Sequence, residues 1–184
     1  MSNTIEQELK FFTEPFEILP ENRIVAYRFN LNDNSPWSPE SQVWDYNAKA
    51  VRTNNPEGIF ALENGVYALA PVLDYLRQNL SGDEHRELVM LKLEIDNQFI
   101  LQQNEDEISF PWCNIIKKLT FHEFVNEAYP ELRIVSYWYC MAKQNPTDTN
   151  RLIFQNILNS AQMHIVTQRF HEIKRRGQRF TTWY

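Results

Sequence analysis

Strand-like and helix-like hydrophobic patterns occupy separate stretches of this chain, and that segregation constrains the fold more than any other feature. Up to about Phe121 the apolar segments are short, rich in β-branched and aromatic residues, and bounded by polar or turn-forming residues. They are RIVAYRFNL (Arg23–Leu31), GIFAL (Gly58–Leu62), ELVMLKLEI (Glu87–Ile95), ISFPW and IIKKLTF. Runs of this kind read as strands. Beyond Phe121, HEFVNEAYPELRIVSYWYCMAK and TDTNRLIFQNILNSAQMHIVTQRFHEIKRRGQRF are mostly helical in texture, with Thr147 or Asp148 as a cap for the second. A mixed first part followed by helices predicts an α+β chain. No linker, internal repeat or low-complexity tract separates the two textures. Residues 1–184 are therefore read as a single domain, with a core over about 21–121 and a helical extension over about 122–184.

Further elements are expected inside the first part. SPESQVWDYNAKAV has the marks of a helix, with Ser38 as N-cap and Pro39 in the first position. VYALAPVLDYLRQNL places Tyr67, Ala70, Leu73 and Leu76 at helical spacing, and Pro71 kinks that helix or marks its start. The DN after Ile95 predicts a tight turn that returns QFILQQ against ELVMLKLEI as a hairpin. ISFPW and IIKKLTF read as another strand pair, interrupted at Pro111.

Composition narrows the function. Hydrophobic content of 43% and aromatic content of 14% predict a folded protein with its own core. Four glycines and no phosphate-loop or dinucleotide glycine motif argue against those nucleotide folds. A net charge of −6 gives no general pull on nucleic acid. Cys113 and Cys140 lie far apart, and the four histidines are scattered without metal-ligand spacing, so no metal site is expected. The first residues, MSNTIEQELKFF, lack the pattern of a signal peptide, and no apolar run approaches a membrane span. The expected location is the cytoplasm, without a membrane partner, and with reduced thiols.

NEDEISFPW (Asn104–Trp112) places three acids directly ahead of an apolar run. In an extended chain Glu105 and Glu107 share one face and Asp106 takes the other. Paired carboxylates on one face suit glycosidic-bond chemistry, and they equally suit a charged strand edge. Arg28, in the middle of RIVAYRFNL, is the other anomaly, read as a ligand contact, an edge charge or a structural ion pair. The tail HEIKRRGQRF gathers Lys174, Arg175 and Arg176, either as the solvated face of a terminal helix or as a contact for RNA or an acidic partner.

In order, the chain carries a strand with Tyr27-Arg28, a helix-like stretch, GIFAL running into a Tyr-Ala helix, a strand pair, and E-x-E before an apolar strand ending in proline. This order resembles the mono-ADP-ribosyltransferase family, in its arginine–serine–glutamate class. VAYRFN matches the family's first motif, and Glu105-Asp106-Glu107-Ile108-Ser109-Phe110-Pro111 matches its last. GIFALENG holds no Ser-Thr-Ser, the family's middle motif, so Thr53 or a backbone group would replace it. The resemblance spans roughly Arg23 to Phe121. It implies a split β-sandwich core, NAD as co-substrate, no metal, and transfer of ADP-ribose to a macromolecular acceptor, either protein arginine or nucleic acid. It also implies a toxin, effector or phage-related role, with a neutralising partner protein.

Physical chemistry assigns the parts within that resemblance. Glu107 would stabilise the oxocarbenium-like charge that develops at the ribose. Glu105 would orient or deprotonate the acceptor. Arg28 would grip the diphosphate through its fork, and Phe60 and Tyr67 would offer aromatic surface to the nicotinamide or simply fill the core. Lys174, Arg175 and Arg176 would meet the acceptor. NAD hydrolysis without an acceptor is a variant of this reading. The alternative class is a non-catalytic interaction protein of a defence or phage system that binds a partner through its aromatic surface.

Overall fold

The computed structural model describes residues 9–31, 44–63, 73, 76, 88–104 and 107–181, apart from the side chains of 30, 31, 88 and 166–181. The chain is α+β. Among the described residues, eight strands form one sheet: β1 (Leu9–Phe12), β2 (Arg23–Leu31), β3 (Ala50–Thr53), β4 (Ile59–Glu63), β5 (Leu88–Asp96), β6 (Gln102–Asn104), β7 (Glu107–Phe110) and β8 (Trp112–Leu119). Their order across the sheet is β1-β3-β8-β5-β2-β4-β7-β6, and every pairing is antiparallel. Three α-helices follow: α1 (Phe121–Ala128), α2 (Arg133–Gln144) and α3 (Asp148–Thr181). The chain divides into two compact units, residues 1–64 with 85–124 and residues 65–84 with 125–184.

In the first unit, β2 and β5 run paired along their whole length, from Arg23 opposite Asp96 to Leu31 opposite Leu88. Directly opposed residues share a face, so the register sorts the side chains. Ala26, Leu91, Leu93, Ala61, Ile108 and Phe110 fall on one face and form its apolar core with Val51 and Cys113. Each large side chain buried there contributes about 1.5–3 kcal/mol. The opposite face carries Tyr27 and Met90, and Tyr27 packs edge-on against Phe124 of α1 at a centroid distance of 5.1 Å. The start of α1 is fixed reciprocally: Glu123 N donates to Thr120 Oγ1 (3.1 Å), and Thr120 N donates to Glu123 Oε2 (3.4 Å).

In the second unit, Leu73 and Leu76 are helical and buried. Thr147 caps α3, its Oγ1 accepting from Asn150 N at 3.1 Å. Tyr139 of α2 packs against Phe154 of α3 at 6.0 Å between centroids.

Several expectations are corrected. No helix runs through the second half of SPESQVWDYNAKAV. Asp45 Oδ1 accepts from Asn47 N (3.0 Å) and Ala48 N bonds to Asp45 O (3.2 Å), a side-chain turn that competes with a helix, and the chain then enters β3. Ser38 itself lies outside the described residues. QFILQQ does not fold back on β5: Asp96 Oδ1 caps a 3-10 turn at Asn97–Phe99 through Gln98 N, and β6 pairs with β7. ISFPW and IIKKLTF do not pair with each other either. Pro111 turns the chain between them, β7 joining β4 and β6 while β8 joins β3 and β5.

Candidate functional site

The three segments that carry the sequence motifs lie side by side. β2 with Tyr27-Arg28, β4 with GIFAL and β7 with the E-x-E end are consecutive neighbours in the sheet. Register makes one row of Tyr27, Leu62 and Glu107, and the next row pairs Phe60 with Ser109. Glu107, Ser109 and Phe60 therefore share a face. Glu107 is the first residue of β7 and is exposed, Phe60 is half-buried, and Ser109 is 0% exposed. The Ser109 hydroxyl is buried and has no hydrogen-bond partner among the described residues. Glu105 and Tyr67 lie outside the described residues.

Arg28 stands on the other face, in register with Leu91 among the core residues. It is 7% exposed, donates from Nη1 to the carbonyl oxygen of Phe60 at 3.0 Å, and stacks over the Trp44 ring at 5.0 Å. A buried guanidinium must find acceptors or an aromatic face to offset its desolvation, and this one holds β4 by its backbone. Arg28 on β2 and Glu107 on β7 are thus separated by β4 and lie on opposite faces, and the sheet does not present them together to one ligand. Trp44 is buried, and its Nε1 likewise has no hydrogen-bond partner among the described residues. Burial pushes the Cys113 thiol far above the ordinary thiol range, and the positive charge of Arg28 opposes this only in part. A thiol held protonated in this way is no nucleophile at neutral pH.

Thr53 is not a neighbour of GIFAL. β3 lies between β1 and β8, and Thr53 Oγ1 accepts from Asn55 N at 3.1 Å. The backbone of Lys174, Arg175 and Arg176 lies in α3, and their side chains are outside the described residues. Among the described residues no three His, Cys, Asp or Glu side chains cluster as a metal site. Nor is any described helix long and apolar enough to cross a membrane.

Sequence reasoning missed Ser109, although the signal was present: in E-I-S-F the alternation that singles out Glu107 places the serine two residues on, on the same face. It also missed an open cavity of about 430 Å³ lined in part by Phe16, Arg23, Lys49, Glu94 and Asn114. Asn114 there accepts from Phe16 N (2.7 Å) and donates to Phe16 O (2.8 Å), while Arg23 pairs with Glu94 at 3.2 Å. These residues come from distant segments, and no local pattern links them. Compared with known proteins, the chain matches no family model, no curated protein and no solved structure.

Proposed function

We propose that this chain is an ADP-ribosyltransferase that cleaves NAD and passes ADP-ribose to a macromolecule. The observation that carries the reading is the adjacency of β2, β4 and β7: segments far apart in sequence meet in the order β2-β4-β7, with the exposed Glu107 as the first residue of β7. An exposed carboxylate at a strand end, on the same sheet face as the half-buried Phe60, has the means to stabilise positive charge developing on a ribose. In the reaction the bond between ribose C1′ and the nicotinamide nitrogen breaks, its electron pair leaving with nicotinamide. A lone pair of the acceptor, or of water, forms the new bond to C1′, and the acceptor's proton passes to Glu105 or to solvent.

The reading brings with it the split β-sandwich core, a toxin- or effector-like role, and protein arginine or nucleic acid as acceptor, with a neutralising partner protein. It assigns Arg28 differently from the first expectation. From the core face Arg28 secures β4 through the Phe60 carbonyl rather than gripping the diphosphate. The test is release of nicotinamide from NAD by the parent chain and by Glu107→Gln, together with incubation of labelled NAD with cell lysate followed by separate protease and nuclease digestion. Glu107→Gln should bind NAD and release no nicotinamide, because a contact made only in the transition state lowers turnover and not affinity. Parent-level turnover in that variant refutes the assignment.

A second reading, a non-catalytic interaction protein, is favoured by one observation. Phe12, Phe16, Trp112 and Phe99 form a connected series of rings, with centroids 5.1, 4.9 and 5.6 Å apart, that ends on the exposed Phe99. Absence of NAD binding by calorimetry selects this second reading.

A further inference from the structure

Ser109 is the anomaly of the candidate site. Nearly every buried hydroxyl in a folded protein has a hydrogen-bond partner, and one without a partner costs stability that alanine at the same position would recover. Ser109 is 0% exposed, sits between the buried Ile108 and Phe110 in β7, and its Oγ has no hydrogen-bond partner among the described residues. Its backbone is in order: its carbonyl oxygen accepts from Leu101 N at 2.8 Å, and the strand pairs on both sides, with Phe60 of β4 and Gln102 of β6. The hydroxyl is therefore not needed to build the sheet. Positions that violate such a rule in a sound structural setting are found at functional sites.

Its placement says which function. Two residues along an extended strand is about 6–7 Å, and side chains at that spacing point the same way. The Glu107 side chain is long enough to lie back along β7 toward Ser109. Resting on the reading of Glu107 given above, we infer that Ser109 is a positioning residue: its hydroxyl donates to the Glu107 carboxylate when NAD is bound, drawing that carboxylate out of water and holding it toward the ribose. In the free chain the donor waits unpaired, and the bond forms where charge develops. Preorganised donors of this kind act on turnover because they need no rearrangement at the moment of reaction.

The experiment uses the full chain and compares the parent, Ser109→Ala, Ser109→Thr and Glu107→Gln in nicotinamide release from NAD and in thermal melting. Ser109→Ala should melt at or above the parent temperature, keep KM within about twofold and lose about ten- to a hundredfold in kcat, the range expected for one hydrogen bond to a charged group. Ser109→Thr, which keeps the hydroxyl, should recover part of that loss. Unchanged kcat in Ser109→Ala overturns the inference while leaving a Glu107-dependent activity standing. Loss of kcat together with a clearly lower melting temperature also overturns it, because the hydroxyl is then a bonded part of the fold. If the parent releases no nicotinamide, or Glu107→Gln matches it, the functional reading fails and this inference fails with it.

Discussion

Gly58 controls the approach of β4 to β7, and replacing it should be costly out of proportion to its size. Its φ is +85°, a conformation that L side chains avoid, and its N–H closes a turn on Asn55 O at 3.0 Å. Forcing an ordinary residue into left-handed backbone costs about 1–2 kcal/mol. A Cβ at this position would also lie 2.8 Å from Phe110 O and 2.9 Å from Leu101 Cδ1. The exposed Leu101 side chain can swing aside, but the Phe110 carbonyl belongs to β7, and moving it strains the Ile59–Phe110 pair at the start of the β4–β7 ladder. Overpacking of that kind costs about 1–3 kcal/mol, which brings the total for Gly58→Ala to about 2–5 kcal/mol. For a chain of this length the melting temperature should fall by about 4–20 °C. Urea unfolding followed by circular dichroism measures the free energy directly. Gly58→Asn separates the two causes, because asparagine tolerates left-handed backbone while still carrying a Cβ. If the close approach dominates, Asn should be as damaging as Ala, and if backbone strain dominates it should recover much of the loss. A cost below about 1 kcal/mol for Gly58→Ala would refute the reasoning, since that is the least the backbone conformation alone predicts.

Three further outcomes follow from the same geometry. Arg28→Ala should destabilise the sheet by about 2–5 kcal/mol, from loss of a charge-assisted bond to Phe60 O and of the stack on Trp44; a stable Arg28→Ala variant with weakened NAD binding would return this residue to the diphosphate. Burial raises the Cys113 thiol above its unfolded value, so the folded chain keeps a proton that the unfolded chain gives up. Stability should be intact below about pH 8.5 and then decline by up to about 1.4 kcal/mol per pH unit, a slope that Cys113→Ala should remove in pH-dependent urea titrations. Asn114→Ala leaves Phe16 N and Phe16 O without their side-chain partner and should cost about 1–3 kcal/mol; retention of parent stability in denaturation would show that the Phe16 segment is held by its ring contacts.

What the sequence disclosed was local. Arg23–Leu31 can be bounded as a strand because its residue types and the turns beside it are local, and the cap of α3 can be narrowed to Thr147 or Asp148 because capping is a contact over three residues, Thr147 being the one observed. The failures are non-local or depend on competition. Val51 and Ala50 are compatible with a helix until β1 and β8 offer them partners, and the Asp45 turn decides the matter. Pro111 reads as an interruption within one strand pair because nothing nearby reveals that its two sides join different neighbours. The site shows the same division. Alternation along β7 is legible and places Glu107 with Ser109, whereas the separation of Arg28 from Glu107 depends on the registers of β2 with β4 and of β4 with β7. Neither strand carries that information by itself.

The strand order has a kinetic consequence. Among the described residues, β6 with β7 is the one pairing between strands that are consecutive in the chain, and the central pairing brings Arg23 to Asp96. Each of the other ladders must close a long loop before its hydrogen bonds and apolar contacts begin to compensate. High contact order of this kind belongs to folding on the millisecond-to-second scale. During synthesis, β2 emerges well before its longest partner β5, so the edge that β5 will take stays available to other chains until the second half of the sheet has been made.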